Sequence, residues 1–232
     1  LNGRNLQLRL HSSGSVQLAT LASHGEGHQA PSEQAWNALL KQGTLSPKEH
    51  QPTPRASQRS IVYSRVSGVQ IGSRWQARLT DPGRDSLSID EQPVSWPISS
   101  LERGTLGTGQ VQTAELEAFY PGTAWAAHGN YGVEYDLTLP LLNRGSNQQT
   151  VVVAVESPLK TDRAIGGLQF HSEAKGPVMF RGPVEVRGLN DTSGFTMGRQ
   201  IVHLVLRQGQ EGPPLGELSL RPGERKDVRI RL

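Results

Sequence analysis

The stretch from Tyr131 to Ser157, YGVEYDLTLPLLNRGSNQQTVVVAVES, decides the fold. Val133, Tyr135, Leu137, Leu139 and Leu141 fall on one face of an extended chain, and Glu134, Asp136 and Thr138 fall on the other. That period-two alternation is the pattern of a half-buried β-strand. Asn143-Arg144-Gly145-Ser146-Asn147 is rich in turn formers, and Thr150 to Val155 is β-branched almost throughout. The two runs predict a hairpin within a β-sandwich.

Working outward, further strands are expected at Ile61 to Val66, Trp75 to Leu79, Gly109 to Phe119, Val178 to Val186, Gln200 to Arg207, Leu215 to Leu220 and Lys226 to Leu232. Turn signals separate all of them. Strands without alternating helices favour an antiparallel sandwich, immunoglobulin-like or jelly-roll in type, over a parallel α/β sheet. The last two strands are joined at Pro222-Gly223, an ending that resembles the close of many immunoglobulin-like bacterial domains. Toward the N-terminus, Leu6, Leu8 and Leu10 alternate with polar residues, and Val16 to Ala22 reads as a partner strand, a hairpin that closes an earlier sheet or joins the later one. Pro31-Ser32-Glu33-Gln34 begins the one short α-helix: Ser32 caps it, Trp36, Leu39 and Leu40 form its apolar stripe, and Gly43 ends it. Thr44 to Ser60 carries three prolines and no periodicity, so it reads as a linker with a boundary near Arg55. Residues 1–55 are thus expected to hold the end of a preceding β domain, the helix and the linker, and residues 56–232 the sandwich.

Composition agrees with many short strands joined by many turns: 26 glycines and 15 prolines in 232 residues, 34% hydrophobic and 5% aromatic. No cysteine is present, which excludes disulfides, thiolate metal sites and a cysteine nucleophile. The 24 basic and 21 acidic residues are interspersed, and the arginines of the final strand alternate with Val228, Ile230 and Leu232, placing them on a solvated face. Without an aromatic platform or a recognised motif, that charge does not indicate nucleic acid. No apolar run is long enough to cross a bilayer. Since the chain starts at Leu1, it is expected to begin after a cut, with any export signal upstream.

Several segments invite chemistry. Arg103-Gly-Thr-Leu-Gly-Thr-Gly-Gln110 resembles a phosphate loop in its glycines, but it leads into alternating Val111, Thr113 and Glu115 instead of a helix, so a tight bend is expected. His24-Gly-Glu-Gly-His28 sets two imidazoles and a carboxylate on a flexible loop; glycines at 25 and 27 argue against the helical spacing of a zinc site, and no metal is expected. Glu134 with Asp136, and Glu115 with Glu117, share strand faces as the paired carboxylates of a glycosidase do. No Gly-x-Ser-x-Gly elbow exists. Ala127-His128-Gly129-Asn130-Tyr131-Gly132 is the most distinctive segment, combining mobile glycines, polar His128 and Asn130, and two aromatics, Trp125 and Tyr131, suited to stacking on sugar rings.

RGTLGTGQVQ (103–112), FYPGTAWAAHGNYGVEYDLTLPLLN (119–143), FRGPVEVR (180–187) and IVHLVLRQGQEGPPLGELSLRPGE (201–224) closely resemble the C-terminal part of a cyanobacterial family of exported proteins of unknown function. Residues 1–22 and 64–81 are also similar, so the resemblance spans nearly the whole chain. The NYG-x-x-Y portion further looks like segments of extracellular bacterial β-sandwich domains. The resemblance implies an extracytoplasmic setting and a missing N-terminal half, and it brings no catalytic residues with it. The expectation is therefore a non-enzymatic binding or structural module of a bacterial cell envelope, with no cofactor. Its partner would be a polysaccharide, met by Trp125, His128, Asn130 and Tyr131, or another envelope protein, met by a strand edge or the Trp36 helix face. The alternative is a carbohydrate-active enzyme using paired carboxylates.

Overall fold

The computed structural model describes residues 8, 10–23, 29–45, 50–89, 92–101, 104–113, 115–127, 129–163, 165–191 and 193–232. Its elements are α1 (Glu33–Gln42), β1 (Gly68–Gln70), β2 (Arg74–Arg78), β3 (Leu87–Ser88), β4 (Leu116–Phe119), β5 (Glu134–Leu142), β6 (Gln149–Ala154), β7 (Val178–Arg187), β8 (Arg199–Arg207), β9 (Pro214–Leu220) and β10 (Arg225–Arg231).

The alternation that predicts β5 also sets its place. Tyr135, Leu137, Leu139 and Leu141 are buried on one face, and they meet Val184, Val186, Leu204, Leu206, Val228 and Ile230 from neighbouring strands and Leu215, Leu218 and Leu220 from β9 in one core. Fully burying one such aliphatic side chain contributes about 1.5–3 kcal/mol, so this layer dominates the fold. The main sheet runs β2-β5-β10-β7-β8, with β3 on the same edge of β5 as β2. The pairs β5/β10, β10/β7 and β7/β8 are antiparallel, while β2 and β3 run parallel to β5. The protein is mostly strand, sandwich-like and not a closed barrel, as expected, and its mostly antiparallel main sheet is made mixed by the parallel pairing of β2 and β3 with β5.

The expected hairpin between β5 and β6 does not form. Strand β6 pairs with β9 in a second sheet, from Gln149↔Leu220 to Ala154↔Pro214, while β5 pairs with β10 from Leu142↔Arg225 to Asp136↔Arg231. The Pro222-Gly223 turn is likewise a crossing between sheets. A single two-stranded ribbon therefore folds over itself, β5 with β10 on one side and β6 with β9 on the other. Bending at such a corner lets both halves present apolar faces to each other. Asn143 fastens the corner. Fully buried, it donates through Nδ2 to Leu220 O at 2.9 Å and Asn147 O at 2.8 Å, accepts at Oδ1 from Gly145 N at 2.9 Å, and exchanges backbone bonds with Glu224 and Gly223. Turn residues alone do not distinguish this arch from a hairpin, because both need the same reversal.

A third, small sheet pairs β1 with β4. Gly68 is required there: a Cβ would lie 2.2 Å from Ala118 O, too close for any side chain. The run Ile61 to Val66 is not a strand beyond a bridge from Val66 to Ala124, and the predicted strand over 109–119 shrinks to its last four residues and a bridge at Glu115. Gly109 is left-handed, with φ 66°, and Gln112 is held away from any ladder by Ser100 and Pro97. At the N-terminus, Val16 to Ala22 forms no strand, and Leu8, Leu10, Val16 and Leu18 are exposed; alternation gives a strand only where a neighbouring edge receives it. The remainder of that predicted hairpin lies outside the described residues. Helix α1 forms as expected, with Ser32 Oγ accepting from Ala35 N at 3.2 Å and left-handed Gly43 closing it. Tyr120, just after β4, donates its hydroxyl to Gly43 O at 2.8 Å and seats the helix end.

Candidate binding cleft

Three segments remote in sequence meet beside the start of β5. The turn from β1 to β2 brings Gln70, Ile71, Arg74 and Trp75, the coil before β4 brings Gln110 to Thr113, and the lead-in to β5 brings Asn130, Val133 and Tyr135. They line a cleft of about 530 Å³. Left-handed Gly72, φ 76°, makes the turn that lets β2 start parallel to β5, so Trp75 comes into register with Tyr135. The two rings meet edge to face, centroids 5.7 Å apart and planes at 74°. That geometry fixes the indole while leaving Trp75 47% exposed. Ile71 and Val111 add exposed apolar surface.

Polar groups converge on this apolar floor. Asn130 Nδ2 donates to the Tyr135 hydroxyl, and Asn130 N donates to Ser99 Oγ at 3.1 Å. In that arrangement Asn130 Oδ1 is buried and has no hydrogen-bond partner among the described residues. Burial raises the Tyr135 phenol above its ordinary pKa, against the opposing hydrogen bonds from Asn130 and Ser99, so it remains a neutral hydroxyl. Gln112 is immobilised, accepting from Ser100 N at 3.2 Å and donating to Pro97 O at 3.2 Å. The cleft thus has a fixed aromatic ring, a fixed amide wall and, in the lining residue Asn130, one buried acceptor without a partner among the described residues.

Of the residues singled out by sequence, Asn130 lines the cleft. Trp125 is half-buried, its Nε1 donating to Thr53 O at 2.9 Å, and it lies outside the lining. Tyr131, also outside it, is 62% exposed with its ring over Gly129. His128 lies outside the described residues, as does the whole of His24 to His28. Trp75 escaped the sequence reading of the site, although its strand was expected, because its neighbours come from remote segments, and Gln110 and Gln112 lie in irregular coil. The one legible signal was a tryptophan opening a short strand directly after an arginine.

The carboxylates have other partners. Asp136 has a side chain only 3% exposed, bound by both Arg74 and Arg229, with Arg229 Nε 2.7 Å from Oδ1 and Nη2 2.6 Å from Oδ2. Gln76 Nε2 adds a bond at 3.1 Å. Hydrogen bonding from Arg229 first, opposed by burial and aided by Gln76 and Arg74, holds its pKa well below the carboxylate range. Glu134 Oε1 lies 3.1 Å from Arg74 Nε, and Glu115 Oε2 lies 2.9 Å from Arg55 Nη2. The glycine loop closes on itself: Leu106 N donates to Thr161 O, Thr108 N to Thr105 O and Gly109 N to Thr105 Oγ1, with Gly104, Gly107 and Gly109 all left-handed. With Gly104 N donating to Asp162 Oδ1 and Gln110 N to Thr108 Oγ1 as well, most of its described amides are occupied within the protein, as in a structural bend. Among the described residues no group of three His, Cys, Asp or Glu could hold a metal ion, and no helix is long and apolar enough to cross a membrane.

The model of a family described as protein of unknown function (DUF3370) matches residues 1–232, and the chain belongs to that family. No curated protein and no solved structure matches it.

Proposed function

We propose that the protein is a non-enzymatic glycan-binding module of a bacterial cell envelope, acting outside the cytoplasm, and that the cleft beside β5 is its binding site. The observation that carries this reading is the pairing of a half-exposed, immobilised Trp75 with the unpartnered Oδ1 of Asn130 in one cleft. A sugar ring offers an apolar C–H face and a rim of hydroxyls. The face stacks on the indole, and a hydroxyl donates to Asn130 Oδ1, removing the cost of about 1–3 kcal/mol of leaving that acceptor buried and unmatched. Gln110 and Gln70 stand where further hydroxyls would bond. An extracytoplasmic setting follows from the likeness to exported proteins drawn from the sequence.

A binding role accounts for the carboxylates better than hydrolysis does. Asp136 is held ionised by two guanidiniums, so it is not a protonated acid ready for leaving-group oxygen, and Glu115 is engaged in an ion pair with Arg55. The test is calorimetric titration with neutral hexasaccharides of β-1,4-glucose, β-1,4-N-acetylglucosamine and α-1,4-glucose, on the native chain and on Trp75→Ala. Binding of at least one, weakened by the substitution, is expected. Binding of none, or binding indifferent to Trp75, overturns the proposal.

A further inference from the structure

The outer face of the main sheet carries a second feature, on the side opposite the core. Over β2, β5, β10, β7 and β8 the outward positions hold nine arginines and four carboxylates. That is an excess of five positive charges where the whole chain has three, so the rest of the molecule is slightly acidic. The basic character hidden in an interspersed sequence is gathered by the topology onto one face.

The two signs also lie at different depths. The side chains of Asp136, Glu185 and Glu134 are 3%, 11% and 18% exposed, whereas those of Arg74, Arg229, Arg187 and Arg199 are 46–53% exposed. Asp136 anchors Arg74 and Arg229; Glu185 anchors Arg187 and Arg199, each at 2.9 Å. Three of the four carboxylates therefore orient guanidiniums from beneath; the fourth, Asp227, is 52% exposed and pairs with Arg78 at 3.3 Å, so what meets solvent is mostly guanidinium. Each fork gives some of its donors to the anchor and keeps others for an incoming anion, since a guanidinium has five. Because the anchors fix the forks beforehand, a ligand orders little on binding. Between Arg78, Gln76, Thr138 and Arg229 the face dips into a shallow depression of about 330 Å³, with the Asp136 carboxylate, already paired with Arg74 and Arg229, also in its lining.

We propose that this face binds an acidic polysaccharide, one bearing carboxylate or sulfate groups along its length. The lattice favours that class over other polyanions. Strands spaced ~4.8 Å apart with outward residues every ~6.8 Å make a flat array with no helix to enter a duplex groove. The outward positions of β2, β5, β10 and β7 carry no aromatic ring and β8 offers only the His203 imidazole, so no platform of rings exists on which successive unpaired bases would stack. Nor do they form an apolar wedge of the kind that inserts into a bilayer. The inference stands apart from the cleft, which is centred on Trp75 on the other face of β2, is lined mostly by amides and apolar groups, and shares only Arg74 with the arginines of this face.

Titration with polygalacturonate and dextran sulfate, with neutral dextran as the uncharged comparison, tests it. Both acidic polymers are expected to bind at low salt, with affinity falling steeply as salt rises, while dextran does not bind to this face. The double variant Arg78→Gln/Arg199→Gln leaves Asp136 and Glu185 with arginine partners and is expected to lose about tenfold in affinity. Arg78→Lys/Arg199→Lys should recover most of it, and Trp75→Ala should change it by less than about twofold. Unchanged affinity in the glutamine pair overturns the proposal. So does tighter binding of a single-stranded oligonucleotide or of phosphatidylglycerol vesicles than of polygalacturonate. If the glutamine pair fails to fold, the native protein decides: salt-independent binding of polygalacturonate is the contradicting result. Loss of neutral hexasaccharide binding in Trp75→Ala with polygalacturonate binding intact separates failure here from failure at the cleft.

Discussion

Two asparagines stand at the two ends of β5, and they are used in opposite ways. Asn143, after the strand, is fully buried with both ends of its amide bonded, to Leu220, Asn147 and Gly145. Asn130, before the strand, bonds the Tyr135 hydroxyl through Nδ2 and leaves a buried Oδ1 without a partner. A satisfied buried amide specifies architecture, because any other arrangement leaves several groups unpaired. An unsatisfied one beside an exposed tryptophan is a small destabilisation, which the proposed sugar would remove. The same residue type, thirteen residues apart on either side of the nine-residue β5, marks where the fold is fastened and where a partner is lacking.

The comparison breaks if the two ends respond alike to substitution. Asn143→Ala strands the Leu220 and Asn147 carbonyls and the Gly145 N–H, and is expected to cost about 3 kcal/mol, read as a lowered urea midpoint with unchanged slope. Midway along the same strand, Asp136→Asn is expected to cost about 2 kcal/mol at pH 7, a value reduced by the solvent exposure of both arginines. Its pH dependence follows from sign. The folded carboxyl titrates well below its unfolded value of about 3.9, so its contribution is complete above about pH 5 and is lost as pH falls toward the folded pKa. The native protein and Asp136→Asn should thus converge in stability as pH drops below about 4, checked by denaturation between neutral and acid pH.

At the open end the effects move from stability to binding. Trp75→Ala should weaken hexasaccharide affinity about tenfold, the stacking and contact area lost with one aromatic face, while shifting the urea midpoint little. Asn130→Ala removes one hydrogen bond and one unmatched acceptor together, so its stability cost should stay below about 1 kcal/mol while oligosaccharide binding falls.

How far these differences were legible depended on range. The alternation in β5, the cap at Ser32 and the stop at Gly43 are local, and each forms where the pattern places it. The arch at Asn143 was read as a hairpin because reversal is local but the choice of partner strand is not: β6 finds β9 some sixty residues away only once both sheets cover the core. Asn130 was picked out by the glycines around it, whereas Trp75 joins it through a parallel pairing of β2 with β5 that no periodicity encodes. Carboxylates that alternation placed on a solvated face proved to be recessed beneath arginines from adjoining strands, a depth ordering set by cross-strand register.

Chemical-shift mapping of the native protein during titration with the hexasaccharide that binds most tightly tests the central claim most directly. The account predicts shifts at the Trp75 indole N–H and the Asn130 side-chain amide, with the Asn143 amide unmoved. Shifts centred on Trp125 and Tyr131 with Trp75 unmoved, or no shift at any tryptophan, would contradict it.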